Sequence, residues 1–143
     1  MLRTFTPNDL EQVMRLWLDG NLEAHPFIAG EYWEDNAGMV AKQLQQAEVY
    51  VWEEEGEIRG FAGLQENYLA GIFVKNSCRS KGVGRKLLDH VKATRSFFFL
   101  HVYAENERAV AFYRREGLEV VSGQTEEDTG RAEYTMRWNG SAG

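Results

Sequence analysis

The segment Arg79-Ser80-Lys81-Gly82-Val83-Gly84-Arg85-Lys86 combines a flexible backbone with positive charge, and both properties suit it to binding phosphate. Gly82 and Gly84 allow a sharp turn and let a ligand approach the backbone N–H groups closely. Apolar residues recur at helical spacing through and beyond this turn: Val83, Leu87, Leu88 and Val91. The first N–H groups of that helix add the positive end of its dipole. The segment therefore predicts an anion site at a loop-to-helix junction.

Two common phosphate-binding loops do not fit this spacing. A dinucleotide-binding loop requires a third glycine, and Leu87 occupies that position. A nucleoside-triphosphate loop requires Gly-Lys followed by Ser or Thr, and Gly84-Arg85-Lys86 does not provide it. Both types of nucleotide site are therefore excluded as the source of the motif.

A second block follows the basic segment: Asn106-Glu107-Arg108-Ala109-Val110-Ala111-Phe112-Tyr113-Arg114-Arg115-Glu116-Gly117-Leu118. Together, the two blocks resemble the Arg-x-x-Gly-x-Gly pyrophosphate motif and the Asn-x-x-Ala-x-x-Phe-Tyr-x-x-x-Gly-Phe motif of the GCN5-related N-acetyltransferase (GNAT) superfamily. Leu118 replaces the usual Phe, and Lys75-Asn76-Ser77 stands where Pro often precedes the loop. The similarity extends over essentially the whole chain and is greatest to small bacterial members of the YiaC/YjaB type, through His25-Pro26-Phe27-Ile28, Tyr32-Trp33, Val51-Trp52-Glu53-Glu54 and the segment 68–74.

The resemblance implies that the chain binds acetyl-CoA as its cosubstrate. The strand Ile72-Phe73-Val74 would present backbone groups to the pantetheine arm, and the segment 80–84 would hold the pyrophosphate. Asn106 would lie beside the pantetheine, and Tyr113 would direct its phenol at the sulfur. The residues so implied in coenzyme binding are Ile72, Phe73, Val74, Arg79, Ser80, Lys81, Gly82, Val83, Gly84, Asn106 and Tyr113.

Acetylation of an amine requires a route for two protons. A lysine amine has an ordinary pKa of about 10.4 and must lose a proton before it attacks, whereas the departing thiolate must gain one. We predict that Tyr113 is the acid that protonates the thiolate. The alternative is that Tyr113 serves only as an aromatic residue of the core. Glu66 is the candidate base. A chain of water molecules is an alternative route for the proton, and the alternative for Glu66 itself is an ordinary solvated residue of the turn. Tyr68 opens the coenzyme-binding strand and would line the mouth of the acceptor site.

The acceptor side is predicted in the loop between the first two helices and the helix that follows. His25, Phe27, Tyr32 and Trp33 would form an apolar passage for the stem of a lysine. Nearby acids would favour a cationic acceptor: Glu31, Glu34, Asp35 and Glu53 to Glu55. The resemblance favours a protein lysine, and a small-molecule amine stays open. A coenzyme-binding module without catalysis is the second function class, but it would not need Asn106 or Tyr113.

Hydrophobic periodicity gives the elements that must position these residues. The order is βα(α)βββαβαββ, an α/β domain; the resemblance implies the GNAT fold, a mixed, mostly antiparallel sheet of six to seven strands with splayed central strands and about four helices. We predict strands at 2–5, 49–52, 58–65, 68–74, 97–102, 118–121 and 134–138, with helices from about residue 7 to Gly20, at 31–47, after Gly82 and at 107–116. The unbroken apolar run Phe97–Leu100 predicts that the fifth strand is buried, with His101 in a core or a cleft.

Composition narrows the function classes. The 143 residues form a single predicted domain, 1–143, with a net charge of −6. Six basic residues and one acid lie between Arg79 and Arg95, so this segment carries +5 and the remainder −11. A nucleic-acid binder would need a broader positive face. The single Cys78 and the lack of metal-ligand spacing predict neither disulfides nor a metal site. With no apolar stretch of membrane-spanning length, we expect a cytoplasmic protein, either a monomer or a homodimer.

Overall fold

The computed structural model describes residues 1–79 and 81–140. The strands are β1 (Leu2–Thr4), β2 (Glu48–Glu54), β3 (Glu57–Gln65), β4 (Tyr68–Val74), β5 (Phe97–Tyr103), β6 (Glu119–Thr125) and β7 (Ala132–Asn139). The helices are α1 (Leu10–Ala24), α2 (Gly30–Gln46), α3 (Val83–Thr94) and α4 (Glu107–Arg115), with 3-10 turns at Pro7–Asp9 and Asn76–Cys78. The predicted class, a mixed sheet of six to seven strands with about four helices, is confirmed with seven strands and four α-helices in the described residues.

The seven strands lie in the order β1-β2-β3-β4-β5-β7-β6. All neighbours are antiparallel except β4 and β5, which are parallel and share one paired position, Tyr68 with Phe99. The Phe99 N–H also donates to the Asn67 carbonyl at 2.9 Å. The two central strands therefore begin side by side and separate toward their C-terminal ends. This separation opens a V-shaped cleft between Val74 and Tyr103.

Two apolar clusters lie on opposite faces of the sheet. One joins α1 and α2 to β2 and β3: Val13, Trp17, Trp33, Leu44, Val49, Val51, Ile58 and Phe61. The other joins α3 and α4 to β3, β4, β5 and β7, and includes Leu69, Leu87, Leu88, Val91, Phe98, Leu100, Tyr113 and Met136. Alternation along each strand supplies both clusters, since successive side chains point to opposite faces.

The prediction that β5 is buried on both faces is wrong. Phe98, Leu100 and Val102 are buried against α3 and α4, but on the other face Phe99 is half-buried and His101 is exposed. Helices α1 and α2 pack over β2, β3 and β4 and leave β5 and β7 open on that side. The apolar run therefore combines one core face with an aromatic, solvent-facing one.

The prediction that the first helix ends at Gly20 is also wrong, because α1 continues to Ala24. A Cβ at Gly20 would lie 2.9 Å from Cδ1 of Phe73. The glycine therefore permits close approach of α1 to β4 and does not end the helix. The additional turn places Glu23 within 2.5 Å of the Arg79 guanidinium.

The last two strands are longer than their hydrophobic patterns predict. Residues Ser122 to Thr125 of β6 are polar, yet they pair with Ala132 to Thr135 of β7. Backbone pairing needs no apolar side chains, so this part of the hairpin left no hydrophobic signal. Within the described part of the chain, no helix has the length and apolar character needed to cross a bilayer.

Candidate functional site

Unpaired backbone of β4 lines one wall of the cleft. The Lys75 N–H donates to the Arg59 carbonyl on β3 at 2.8 Å. Backbone groups alternate in direction along a strand, so the N–H groups of Ile72 and Val74 point away from β3 and toward β5. The ladder between β4 and β5 has already ended at Tyr68 and Phe99. Peptide groups that a closed sheet would pair are thus left facing the cleft.

Tyr113 on α4 reaches this unpaired edge. The residue is only 7% exposed and packs within the cluster beneath α3 and α4. Burial raises the pKa of its phenol well above the usual value, and a hydrogen bond with the backbone of Ile72 opposes this effect only in part. The hydroxyl therefore keeps its proton at neutral pH and lies beside an N–H group of the cleft wall. The side chain is thus part of the core, and its protonated hydroxyl lies at the cleft.

The glycine-containing segment forms the turn into α3 at the end of β4. Gly82 has a φ of +83°, a left-handed conformation that favours glycine, and its carbonyl accepts from the Lys86 N–H at 3.0 Å. The first N–H groups of α3 have no acceptor within the helix. A Cβ at Gly84 would lie 3.5 Å from Phe112 and 3.6 Å from Val74, so α3 begins close to both α4 and β4. Ser80 lies outside the described residues.

Several cations of the basic segment are paired with acids of other elements. Arg79 pairs with Glu23 at 2.5 Å, and Arg95 pairs with Glu48 at 3.2 Å. Glu116 lies 3.9 Å from Lys92 and 3.8 Å from Arg85, while Lys81 is exposed beside the turn. The +5 segment is therefore not a continuous free cationic face, and its charge at the cleft is concentrated near the start of α3.

The four residues predicted for the acceptor side lie together. His25 stacks on Trp33 with ring centroids 5.2 Å apart and meets the edge of Phe27 at 5.6 Å, while Tyr32 contacts Trp33 at 5.0 Å. Tyr103 completes the group at 5.0 Å from His25. Tyr103 is not among the residues predicted for the acceptor side, because the predicted fifth strand ends at Val102. His25 and Trp33 are buried, so they form the wall of this group, and Phe27 and Tyr32 are its half-exposed members.

Acids from the β6–β7 hairpin contact the exposed side of this aromatic group, and Arg131 of the same hairpin lies 5.5 Å from the centre of the Phe27 ring. The Tyr32 hydroxyl donates to Asp128 at 3.2 Å, and the Tyr103 hydroxyl donates to Glu126 at 3.1 Å. Burial, with the charges of Glu126, Asp128 and Glu133, raises the pKa of Tyr32 to about 12. The negative field at this mouth of the cleft therefore originates from the hairpin.

The acids predicted for this field on β2 lie elsewhere and are occupied. Glu53 accepts from Arg3 at 2.6 Å, and Glu54 accepts from Arg59 at 2.9 Å. Their assignment to the acceptor side is wrong, because β2 and its turn lie on the far side of β3 from the cleft. The sequence shows the acidic turn Glu126-Glu127-Asp128 but gives no sign that it folds back toward the loop after α1.

Residues 10–118 match the model of the Acetyltransferase (GNAT) family. The chain belongs to this family. The peptidyl-lysine N-acetyltransferase YiaC of Escherichia coli strain K12 is 31% identical over 140 residues, which cover 96% of this chain and 96% of YiaC. The peptidyl-lysine N-acetyltransferase YjaB of the same strain is 27% identical over 122 residues, covering 85% of this chain and 83% of YjaB.

Solved structures show the same fold. The solution structure of apo YjaB from Escherichia coli superposes with a TM-score of 0.86 at 24% identity, covering 99% of this chain and 98% of that one. The PaiA N-acetyltransferase of Thermoplasma acidophilum, crystallised with coenzyme A, gives a TM-score of 0.78 at 17% identity, covering 97% and 98%. The expected GNAT fold is thereby confirmed.

In this acetyltransferase, Tyr68 lies on the open face of the sheet. Its ring centroid is 5.3 Å from that of Phe99 and 5.4 Å from that of His101. Burial and the charge of Glu133 raise the pKa of its phenol. His101 is accordingly not a core residue, and its Nδ1 lies 3.0 Å from the Thr135 hydroxyl. These side chains continue the aromatic surface beyond the acceptor-side group.

Glu66 lies apart from this arrangement. It has a φ of +55° in the exposed turn between β3 and β4, and its carbonyl accepts from the Arg95 Nε at 2.8 Å. The rise along β4 separates it from Ile72 by roughly 15–20 Å. The structure therefore brings Tyr113, Ile72 and the α3 turn together but leaves Glu66 at the closed end of the V.

The acetyltransferase is expected to lose stability on mild acidification because of His25. Burial lowers the pKa of this imidazole to about 4. The unfolded chain binds the proton near the ordinary value of about 6.5, so the folded state loses about 2 kcal/mol of stability between about pH 7 and pH 5. Urea unfolding of the parent and of His25→Phe at both pH values measures this difference, since other groups titrate equally in the two proteins. An identical pH dependence in both would contradict the prediction.

Proposed function

We propose that this protein transfers the acetyl group of acetyl-CoA to the side-chain amine of lysine in proteins or peptides. The observation that carries the proposal is the Tyr113 hydroxyl, which shares a hydrogen bond with the backbone of Ile72 on the part of β4 that lies beyond its last pairing with β5. A proton donor and an N–H group meet there in a cleft that is open to ligands. Curated relatives named as peptidyl-lysine N-acetyltransferases support the choice of acceptor.

The residues present fit acetyl-CoA. The backbone groups of Ile72 and Val74 that face β5 would hydrogen-bond the amides of the pantetheine arm, while Phe73 between them pairs with Phe61 of β3. The turn Lys81-Gly82-Val83-Gly84, with Ser80 and Arg79 before it, would hold the pyrophosphate through the first N–H groups of α3. Asn106, at the start of α4, would contact the coenzyme from the β5 side. Bound there, the coenzyme supplies an acetyl group activated as a thioester.

The protein would contribute two hydrogen-bond donors to the reaction. The Ile72 N–H would stabilise the carbonyl oxygen as negative charge develops on it. Tyr113 holds its proton at neutral pH and would donate it to the departing sulfur. The acceptor amine must lose a proton first, and the distant position of Glu66 favours a chain of water molecules as the route for it. Tyr68 would line the path by which the amine enters.

Charge and shape at the mouth of the cleft support a cationic acceptor on a long apolar stem. Glu126, Asp128 and Glu133 would attract the ammonium group, and the rings of Phe27 and Tyr32 would contact its methylene groups. The open faces of β5 and β7 leave room for a peptide on either side of the lysine.

A peptide assay separates this function from its alternatives. We expect coenzyme A release with a peptide that carries one lysine and a blocked N-terminus, and mass spectrometry should place the acetyl group on that lysine. The matched control replaces the lysine by arginine and should give no release. Turnover of polyamines or aminoglycosides without turnover of any lysine peptide would favour a small-molecule acceptor. Thermal stabilisation by acetyl-CoA with no release on any amine would favour a binding module without catalysis.

A further inference from the structure

His25 and Asn106 contact each other across the cleft wall although they lie 81 residues apart in the chain. Nδ2 of Asn106 lies 3.3 Å from Nε2 of His25. Oδ1 of the same amide accepts from the Ala109 N–H at 3.3 Å and thereby caps α4. Since the oxygen must face that N–H, the NH₂ group of Asn106 must face the imidazole.

The imidazole must therefore act as the acceptor in this contact. A ring nitrogen accepts only when it carries no proton, so His25 must be neutral with its proton on Nδ1. Burial lowers the pKa of His25 to about 4 and so keeps it neutral at physiological pH. Nδ1 is itself buried and has no hydrogen-bond partner among the described residues.

The surroundings of His25 fix its position. The side chain is 8% exposed, stacks on Trp33 and meets the edges of Tyr103 and Phe27. Its backbone N–H donates to the Asn21 carbonyl at the end of α1 at 3.0 Å. A ring held on three sides is a rigid partner for the amide it faces.

We propose that His25 is a positioning residue: it fixes the amide of Asn106 and joins the loop after α1 to the start of α4. The proposal rests on the proposed function in one respect, namely that Asn106 contacts acetyl-CoA. With both ends of its amide engaged, Asn106 cannot flip without losing two hydrogen bonds. The orientation that the coenzyme meets is thus set before the coenzyme binds, by a residue that does not itself belong to the β4 edge or the α3 turn.

The tautomer of His25 tests the contact in the free protein, independently of any activity. Nitrogen NMR of the imidazole at neutral pH should show a neutral ring with the proton on Nδ1. The Asn106→Ala variant should change the His25 ring resonances by removing their partner. A protonated ring, or a neutral ring with the proton on Nε2, would overturn the proposal.

A double-mutant cycle tests the consequence for the coenzyme. The variants are His25→Phe, which retains an aromatic ring in the stack, Asn106→Ala and the double substitution, with acetyl-CoA affinity measured by calorimetry. We expect each single change to weaken binding about three- to tenfold, and the double change to weaken it no more than Asn106→Ala alone. His25→Gln, whose Oε1 can accept the same N–H, should recover part of the loss.

The outcomes separate this proposal from the proposed function. If Asn106→Ala binds acetyl-CoA as the parent does, the coenzyme contact of Asn106 is wrong and the role of His25 falls with it. If Asn106→Ala weakens acetyl-CoA binding but His25→Phe leaves it unchanged, only the role of His25 is overturned. The same conclusion follows if the double variant loses affinity by the product of the two single losses. Melting temperatures of all four proteins show whether a variant still folds, and the tautomer measurement on the parent does not depend on them.

Discussion

Tyr113→Phe is expected to lower kcat by about 10²- to 10⁴-fold and to leave acetyl-CoA affinity almost unchanged. The substitution retains the ring, which is 7% exposed within the core, and deletes only the hydroxyl beside Ile72. A proton donated by Tyr113 would matter mainly as the sulfur gains charge, so its loss should affect the reaction step more than binding. Loss of one hydrogen bond should lower the free energy of unfolding by only about 1 kcal/mol.

The measurement is kcat with a saturating lysine peptide, together with coenzyme affinity by calorimetry. Tyr50→Phe is the matched control, because Tyr50 is a half-buried tyrosine of β2 that contacts Glu48 and His90, away from the cleft. The control should turn over at the parent rate. A Tyr113→Phe enzyme within a factor of about two of the parent would show that Tyr113 acts only in packing and that water donates the proton.

Gly84→Val is expected to weaken acetyl-CoA binding by about 100-fold or more while the protein stays folded. The Cβ of a valine would already contact Phe112 and Val74, so its two methyl groups are expected to displace the start of α3 and its N–H groups. Loss of two charge-assisted hydrogen bonds to the pyrophosphate, each about 1.5–3 kcal/mol, gives this magnitude.

Gly84→Ala is the matched control for the added Cβ. That atom would lie 3.5 Å from Phe112 and 3.6 Å from Val74, which is ordinary contact, and alanine favours helix over glycine by about 1 kcal/mol. The alanine variant should therefore be at least as stable as the parent and should bind the coenzyme. Calorimetry gives the acetyl-CoA affinity, and thermal melting the stability, of all three proteins. A folded valine variant that binds acetyl-CoA as tightly as the parent would show that the α3 turn is not part of the coenzyme site.

The sequence by itself determined the elements and the position of the glycine-containing turn before α3. Strand β4 and the start of α3 lie where their local patterns predict, and Gly82 adopts the left-handed conformation that suits glycine before a helix. The block from Asn106 to Tyr113 likewise forms a capped helix with Tyr113 on its buried side. These features are local, because helical periodicity and turn chemistry involve residues within a few positions of one another.

Tertiary structure alone decided which faces are covered and which charges are paired. Phe99 belongs to an apolar run and His101 follows it, yet both face the open side, because α1 and α2 do not extend over β5. The sequence likewise placed part of the acceptor field on the acids of β2, but Arg3 pairs with Glu53 from 50 residues away and Arg59 pairs with Glu54. The β6–β7 hairpin supplies Glu126 and Asp128 instead. Ion pairs and face coverage join residues far apart in the chain, and no local pattern encodes that distance.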